Sequence, residues 1–173
     1  MGQEHQFAPV RIIRQVPSKA RTIDQISPHP IWVGHHGDGS NVRALHESGI
    51  EAVVQVAVEE APLSPPRGLM YHRFPIVDGP GNDPSHLFLA VNTVASLLRR
   101  RIPTLVCCGM GLSRSPAIVA VALATIGRES PEEALRRLAD RRPVDISPFL
   151  WSELRSALAI PPDLGSRDDD PRT

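Results

Sequence analysis

The sequence predicts an α/β domain: a central, mainly parallel twisted sheet with helices on both sides. Two observations carry this. Short apolar segments rich in valine alternate along the chain with stretches of helical periodicity, the pattern of a parallel sheet built from crossover units. Of the 173 residues, 41% are hydrophobic and 22% charged, which is ordinary globular composition for one domain with a core of useful size.

Taken in order, residues 1–21 carry Pro9 and Pro17 and show no sustained period, so an extended or disordered segment is expected before a domain spanning 22–160. Pro30-Ile31-Trp32-Val33-Gly34 reads as a short strand. A polar turn over 35–40 follows, then a short helix over 41–48 that Gly49 closes. Residues 50–58 are valine-rich and only partly alternate, which suits a strand buried on both faces, with 70–74 as its neighbour. Residues 59–68 hold four prolines or glycines and form a loop, as does Asp78-Gly79-Pro80-Gly81.

Leu87, Val91, Val94 and Leu98 recur at helical spacing over 85–101, with Asp83 or Ser85 placed to cap the start and Pro84 suited to the first turn. Arg99-Arg100-Arg101 reads as a cationic helix C-terminus on a solvated face. A strand, Pro103-Thr104-Leu105-Val106-Cys107, leads through a glycine-rich turn into an apolar helix over 115–126 that Gly127 ends. Ser130-Pro131-Glu132-Glu133 opens the next helix with a capping box, and Ser147-Pro148 opens the last. Pro161-Pro162 and Asp168-Asp169-Asp170 mark 161–173 as a disordered tail.

The formal net charge is zero, so the chain as a whole has no electrostatic reason to seek nucleic acid or an anionic membrane, and any anion selectivity is local. No apolar run is long enough to span a bilayer, and the polar start Met1-Gly2-Gln3-Glu4-His5-Gln6 lacks the apolar segment of a secretory signal, so the expected location is cytoplasmic. The two cysteines, Cys107 and Cys108, are adjacent and cannot staple distant elements. The seven histidines have no spacing that would build a metal site with them, and no cofactor is expected.

The segment Cys108-Gly109-Met110-Gly111-Leu112-Ser113-Arg114-Ser115 joins the buried strand to the apolar helix. A turn in that position gathers backbone N–H groups at a helix N-terminus, where partial positive charge favours an anion. Gly109 and Gly111 allow a tight backbone and the close approach of a phosphate. The same field stabilises a Cys108 thiolate, the nucleophilic form. Arg114 offers a planar fork of donors to two phosphate oxygens, and Ser115 can donate to the sulfur. Residues 109–114 are therefore the expected phosphate-binding loop. A Walker-type nucleotide loop needs a lysine before Ser or Thr at the end of the turn, and this turn has none.

This run resembles the Cys-x5-Arg signature of the protein tyrosine phosphatase superfamily, in particular the dual-specificity phosphatases. Ile31-Trp32-Val33-Gly34 is similar to that family's opening strand, Phe74-Pro75-Ile76-Val77-Asp78 to the strand end and loop carrying its general acid, and Arg142-Pro143 to its late Arg-Pro. The resemblance covers roughly residues 22–160. It implies Cys108 as nucleophile, Arg114 as phosphate clamp, Ser115 as the aid to thiolate release and Asp78 as general acid. Asp83 competes for the last role, but its place beside Pro84 at a helix start makes it a cap. Two positions depart from the family pattern. The residue before the nucleophile, usually histidine, is Cys107, which strand alternation points away from the loop as a small core filler. No asparagine follows the Arg-Pro in Val144-Asp145-Ile146-Ser147-Pro148.

The expected function is hydrolysis of phosphate monoesters through a phosphocysteine. The expected partner is a phosphorylated protein or a small phosphomonoester, with phosphoproteins preferred because the turn lacks the lysines of phosphoinositide-specific relatives. A phosphate-binding module without catalysis is the alternative. Redox chemistry of the arsenate-reductase or rhodanese type calls for further cysteines or a sulfur-transfer context that this sequence lacks.

Overall fold

The structure, a computed structural model, describes residues 23–159; the N-terminal segment 1–21 and the tail 161–173 lie outside the described residues. Five strands form one sheet: β1 (Asp24–Gln25), β2 (Ile31–His35), β3 (Ala52–Gln55), β4 (Met70–Arg73) and β5 (Thr104–Cys108). Their order is β1-β2-β5-β3-β4, with β1 antiparallel to β2 and every other pair parallel. Six helices complete the fold: α1 (His36–Ser40), α2 (Val42–Glu47), α3 (Pro84–Arg99), α4 (Arg114–Ile126), α5 (Pro131–Ala139) and α6 (Pro148–Ala159).

β5 lies between β2 and β3, with Val106 opposite both Val33 and Val54. Every residue of β3 and β5 is buried, including the polar Gln55 and Thr104, which is why neither strand shows a clean alternation of apolar and polar residues. The pleat then sorts side chains by parity. Val106 and Cys108 enter the large core shared with α3, α4, α5 and α6. Leu105 and Cys107 enter a smaller cluster with Leu45, Ile50, Val53 and Leu63 on the opposite face. The adjacent cysteines thus belong to different cores.

The helices follow their sequence signals within a residue or two. Asp83 caps α3, its Oδ1 accepting the Ser85 N–H at 2.7 Å, with Pro84 as the first residue. Ser130 and Glu133 form the capping box of α5. The arginines after α3 behave as expected of a helix end: Arg99 donates to the Thr125 carbonyl at 3.4 Å, and Arg101 takes a left-handed conformation at φ 57°. Two expectations are corrected. Residues 36–40 form a short helix instead of a polar turn, because the Asp38 carboxylate accepts the His35 N–H at 2.8 Å and satisfies the first turn. The strand expected over 50–58 pairs only over 52–55; Val56 and Ala57 stay fully buried, but Val56 bonds the Cys107 carbonyl beyond the regular ladder.

The helix that carries the loop's far end is held by burial: Ile118, Val119, Ala120 and Ala122 of α4 have no exposed surface. Ile118→Ala should therefore lower the unfolding free energy by about 2–5 kcal/mol, as removal of a large core side chain does. Urea denaturation with an unchanged m-value checks this; a loss within 0.5 kcal/mol, roughly the surface scale, would contradict the packing described.

Candidate active site

β5 ends on Cys108 and α4 begins on Arg114, so residues 109–113 must reverse the chain in one tight turn. Gly111 makes that turn possible. Its φ is +72°, and a Cβ there would lie 2.8 Å from the Gly34 carbonyl oxygen, so neither the conformation nor the space admits a side chain. Gly109, expected to share this freedom, is not left-handed; a Cβ there would meet the Glu59 and Glu60 carboxylates at 3.1 and 3.2 Å.

The turn is fixed through its carbonyls. Gly109 O accepts the His36 N–H at 3.4 Å, Leu112 O accepts the Asp145 N–H at 2.9 Å, and Gly111 O accepts Arg142 Nη2 at 2.8 Å. Arg142 Nη1 donates to the Val33 carbonyl. A trans peptide directs its N–H opposite to its C=O. Tying these three carbonyls to the surrounding protein therefore turns the N–H groups of Met110, Leu112 and Ser113 the other way, to the inside of the turn. Together with the N-terminus of the 13-residue helix α4, they make a cradle for an anion.

Cys108, 2% exposed, sits at the foot of this turn with its Sγ 3.2 Å from the Ser115 Oγ. That hydroxyl also donates to the Gly34 carbonyl at 3.4 Å, while either the thiol or the hydroxyl can be the donor in its contact with Cys108. Cys107 lies across the sheet, and its thiol pKa is pushed up to about 12 by burial, with the negative charges of Cys108, Asp38 and Glu60 adding to the effect. It stays a thiol under ordinary conditions, as the core-filler reading expects.

The Arg114 guanidinium is almost fully buried. Nη1 donates to one Glu59 oxygen and, at 3.1 Å, to the Ile76 carbonyl; Nη2 donates to the other Glu59 oxygen. Burial works against this cation, but the bonds from Glu59 and the fields of Cys108 and Asp78 outweigh it, and its pKa is raised. In return the Arg114 bond holds the half-exposed Glu59 carboxyl below its ordinary value, against the opposing effect of burial.

Asp78 reaches the same loop: Ser113 Oγ donates to Asp78 Oδ1 at 2.5 Å, while Ser113 Oγ accepts the Ser147 N–H at 3.2 Å. The segment behind Asp78 is braced from within and from α6. The Asn82 side chain bonds Val77 N, Val77 O and Gly79 O, and Glu153 accepts from Gly81 N, Asn82 N and Asn82 Nδ2. Asp83 faces its own helix instead, and its carboxyl is held low chiefly by the Ser85 N–H. The structure thus brings Cys108, Arg114, Ser115, Ser113 and Asp78 together and leaves Asp83 as a cap.

Sequence reasoning missed Glu59, Asn82 and Glu153, none of which carries a local signal. It noted Arg142 only by resemblance. Among the described residues, no group of three His, Cys, Asp or Glu side chains could hold a metal ion. His35 and His36 lie half-buried beside the loop, His35 against Asp38 and His36 Nδ1 3.7 Å from Glu60.

No family model and no curated protein matches the chain. Solved structures do. Human DUSP28 is 24% identical, with 77% of this chain and 93% of that one covered at a TM-score of 0.68. The human tyrosine phosphatase-like serine/threonine/tyrosine-interacting protein is 20% identical over 80% and 97% of the two chains, TM-score 0.67. PTPMT1 in complex with PI(5)P is 18% identical over 80% and 98%, TM-score 0.61. The chain has the dual-specificity phosphatase fold.

Gly111→Ala forces a side chain into the Gly34 backbone and a strained conformation. It should cost about 1–3 kcal/mol of stability and displace the loop that carries the site. Chemical denaturation and oxyanion binding by calorimetry check both effects; parental values for both would show that the loop does not depend on this approach.

Proposed function

We propose that this protein is a cysteine-dependent phosphatase that hydrolyses phosphate monoesters, with phosphotyrosine or phosphoserine/threonine proteins as preferred substrates, through a phosphocysteine intermediate. The observation that carries this reading is the placement of the Cys108 sulfur at the foot of an N–H-lined turn, with a hydroxyl 3.2 Å away and a buried guanidinium beside it. Such a turn suits an oxyanion held against the sulfur.

In the first step the Cys108 thiolate attacks phosphorus, the S–P bond forms and the ester P–O bond breaks. The turn's N–H groups and Arg114 bear the charge that spreads over the equatorial oxygens. Asp78 gives its proton to the departing oxygen, so an alcohol or phenol leaves. Its Oδ1 is already held by Ser113, which leaves Oδ2 to carry that proton. In the second step Asp78 takes a proton from water as the water oxygen attacks phosphorus. Inorganic phosphate leaves, and the sulfur departs as a thiolate that the Ser115 hydroxyl can stabilise. The chemistry draws its positive charge from Arg114 and backbone dipoles and needs no cofactor. A protein substrate fits a turn that carries no lysine between Cys108 and Arg114. No helix among the described residues is long and apolar enough to cross a membrane; a cytoplasmic site of action belongs to this proposal.

The second reading, a phosphate-binding module without turnover, is favoured by one finding: a neighbour of the same fold is described as phosphatase-like and interacting. Retention of Cys108, Ser115 and Asp78 around one turn argues for turnover. Activity on a chromogenic aryl phosphate separates the two.

Cys108→Ser should abolish turnover while keeping oxyanion binding; near-parental turnover in the folded variant would sink the covalent mechanism. Asp78→Asn should lower kcat by roughly 10²–10⁴ for poor leaving groups and far less for good ones, since only the former need the proton. Asp83→Asn should leave kcat unchanged, and a reversal of this pattern would move the acid to Asp83.

A further inference from the structure

We infer, resting on the phosphatase reading of the loop, that His36 is a positioning residue for oxyanion binding: Gln55 holds its ring while its own N–H holds the Gly109 carbonyl, which keeps the Met110 N–H on the inside of the turn. His36 is the first residue of α1, and an N–H at that position has no partner within its own helix. It donates to Gly109 O at 3.4 Å. Gly109 O and the Met110 N–H belong to one planar peptide and point opposite ways, so a hold on the carbonyl from outside sets the direction of the first donor in the cradle.

The His36 ring is fixed in turn by a buried amide. Gln55 closes β3 opposite Cys107, and by strand parity it shares the face of Val53 and the smaller core. To this face β5 contributes Leu105 and the Cys107 thiol, which is at most a weak donor. Gln55 has no exposed surface, and a buried amide is costly unless its hydrogen bonds are made. The Ala61 carbonyl, 2.8 Å away, can only accept, so the atom facing it is the amide nitrogen. Gln55 Oε1 is left to the Tyr71 hydroxyl, whose oxygen accepts the Leu63 N–H at 3.0 Å. With the amide's orientation set, its other hydrogen goes to His36 Nδ1 at 3.4 Å. An amide nitrogen cannot accept, so Nδ1 is the unprotonated ring nitrogen and the ring carries its hydrogen on Nε2. Glu60 Oε2, 3.7 Å from the same Nδ1, is the rival anchor. A carboxylate holds that nitrogen only when it bears a hydrogen, whereas the amide holds it only when it does not. The two anchors thus require opposite states of one atom.

The test uses the full chain and two readouts, kcat/KM on an aryl phosphate and tungstate affinity by calorimetry. His36→Leu keeps the backbone N–H and removes the ring acceptor; it should lower both by about 3- to 10-fold, the effect of one neutral hydrogen bond. His36→Asn, whose Oδ1 is as many bonds from the backbone as Nδ1, should recover most of both, which a merely space-filling ring would not allow. Glu60→Gln should not reproduce the loss. A second measurement needs no variant: the ring nitrogen chemical shifts of His36 in the parent, taken at a pH above the ring's titration, should show hydrogen on Nε2 and none on Nδ1. Parental values in His36→Leu, an equal loss in His36→Asn, the same loss in Glu60→Gln, or hydrogen on Nδ1 would each overturn the inference. If the parent binds tungstate but does not turn over the ester, the phosphatase reading fails while the tungstate series still decides the role of His36. A parent that binds no tungstate overturns both.

Discussion

Arg142 reaches the loop over 109–113 from the connection between α5 and α6, and with one planar fork it holds the Val33 carbonyl of β2 and the Gly111 carbonyl of the loop. Burying a guanidinium this deeply is costly unless its donors are matched, and burial does lower its pKa. The two carbonyls, together with Asp24 at 3.5 Å, are what offset that cost. The direction of the loop's peptides depends on this contact. Turned by about half a rotation, the same peptides would present carbonyl oxygens to an anion instead of N–H groups. The close approach of Gly111 to Gly34 is the steric counterpart of the same constraint, and both contacts tie the loop to β2, not to its own strand.

Once the loop is set, the remaining groups are assembled from distant parts of the chain with little freedom. Arg114 is fixed on the first turn of α4 and gripped by a carboxylate from the β3–β4 connection. Asp78 is tethered to Ser113, while Asn82 and Glu153 brace its segment against α6. The two arginines divide the work. Arg142 spends its Nη groups on carbonyls and shapes the loop, whereas Arg114 spends its own chiefly on Glu59. In a chain of zero net charge, the positive charge at this loop comes from its oriented dipoles and two buried guanidinium groups, Arg114 and Arg142.

Much of the fold was legible because its signals are local. The buried strand β3 shows within a valine-rich run, β5 as a short apolar segment after Pro103, α5 as a capping box from Ser130 to Glu133, and the loop as a glycine-rich turn between an apolar strand and an apolar helix. Strand alternation alone pointed Cys107 away from the loop, where it enters the smaller core, although it gave no sign that Cys108 also packs into the larger one. Asp78 was legible only through family resemblance, since Asp-Gly-Pro-Gly by itself describes any turn. Glu59 and Glu153 were not legible. Their partners lie far along the chain, and a glutamate in a proline-rich loop or on a half-exposed helix face looks the same whether or not it meets one. Helix α1 was missed because His-Gly-Asp-Gly-Ser has poor helix propensity, and the Asp38 contact to the His35 N–H that supports it shows only in three dimensions.

In the proposed mechanism the Cys108 Sγ is the atom that receives the phosphoryl group. The most direct measurement is rapid acid quenching of the protein during turnover of an aryl phosphate, followed by mass spectrometry of the peptide that holds both cysteines. One phosphoryl group is expected on Cys108 and none on Cys107, formed and lost at rates that sustain kcat. Turnover without such an adduct, or an adduct on any other residue, would contradict the proposed mechanism.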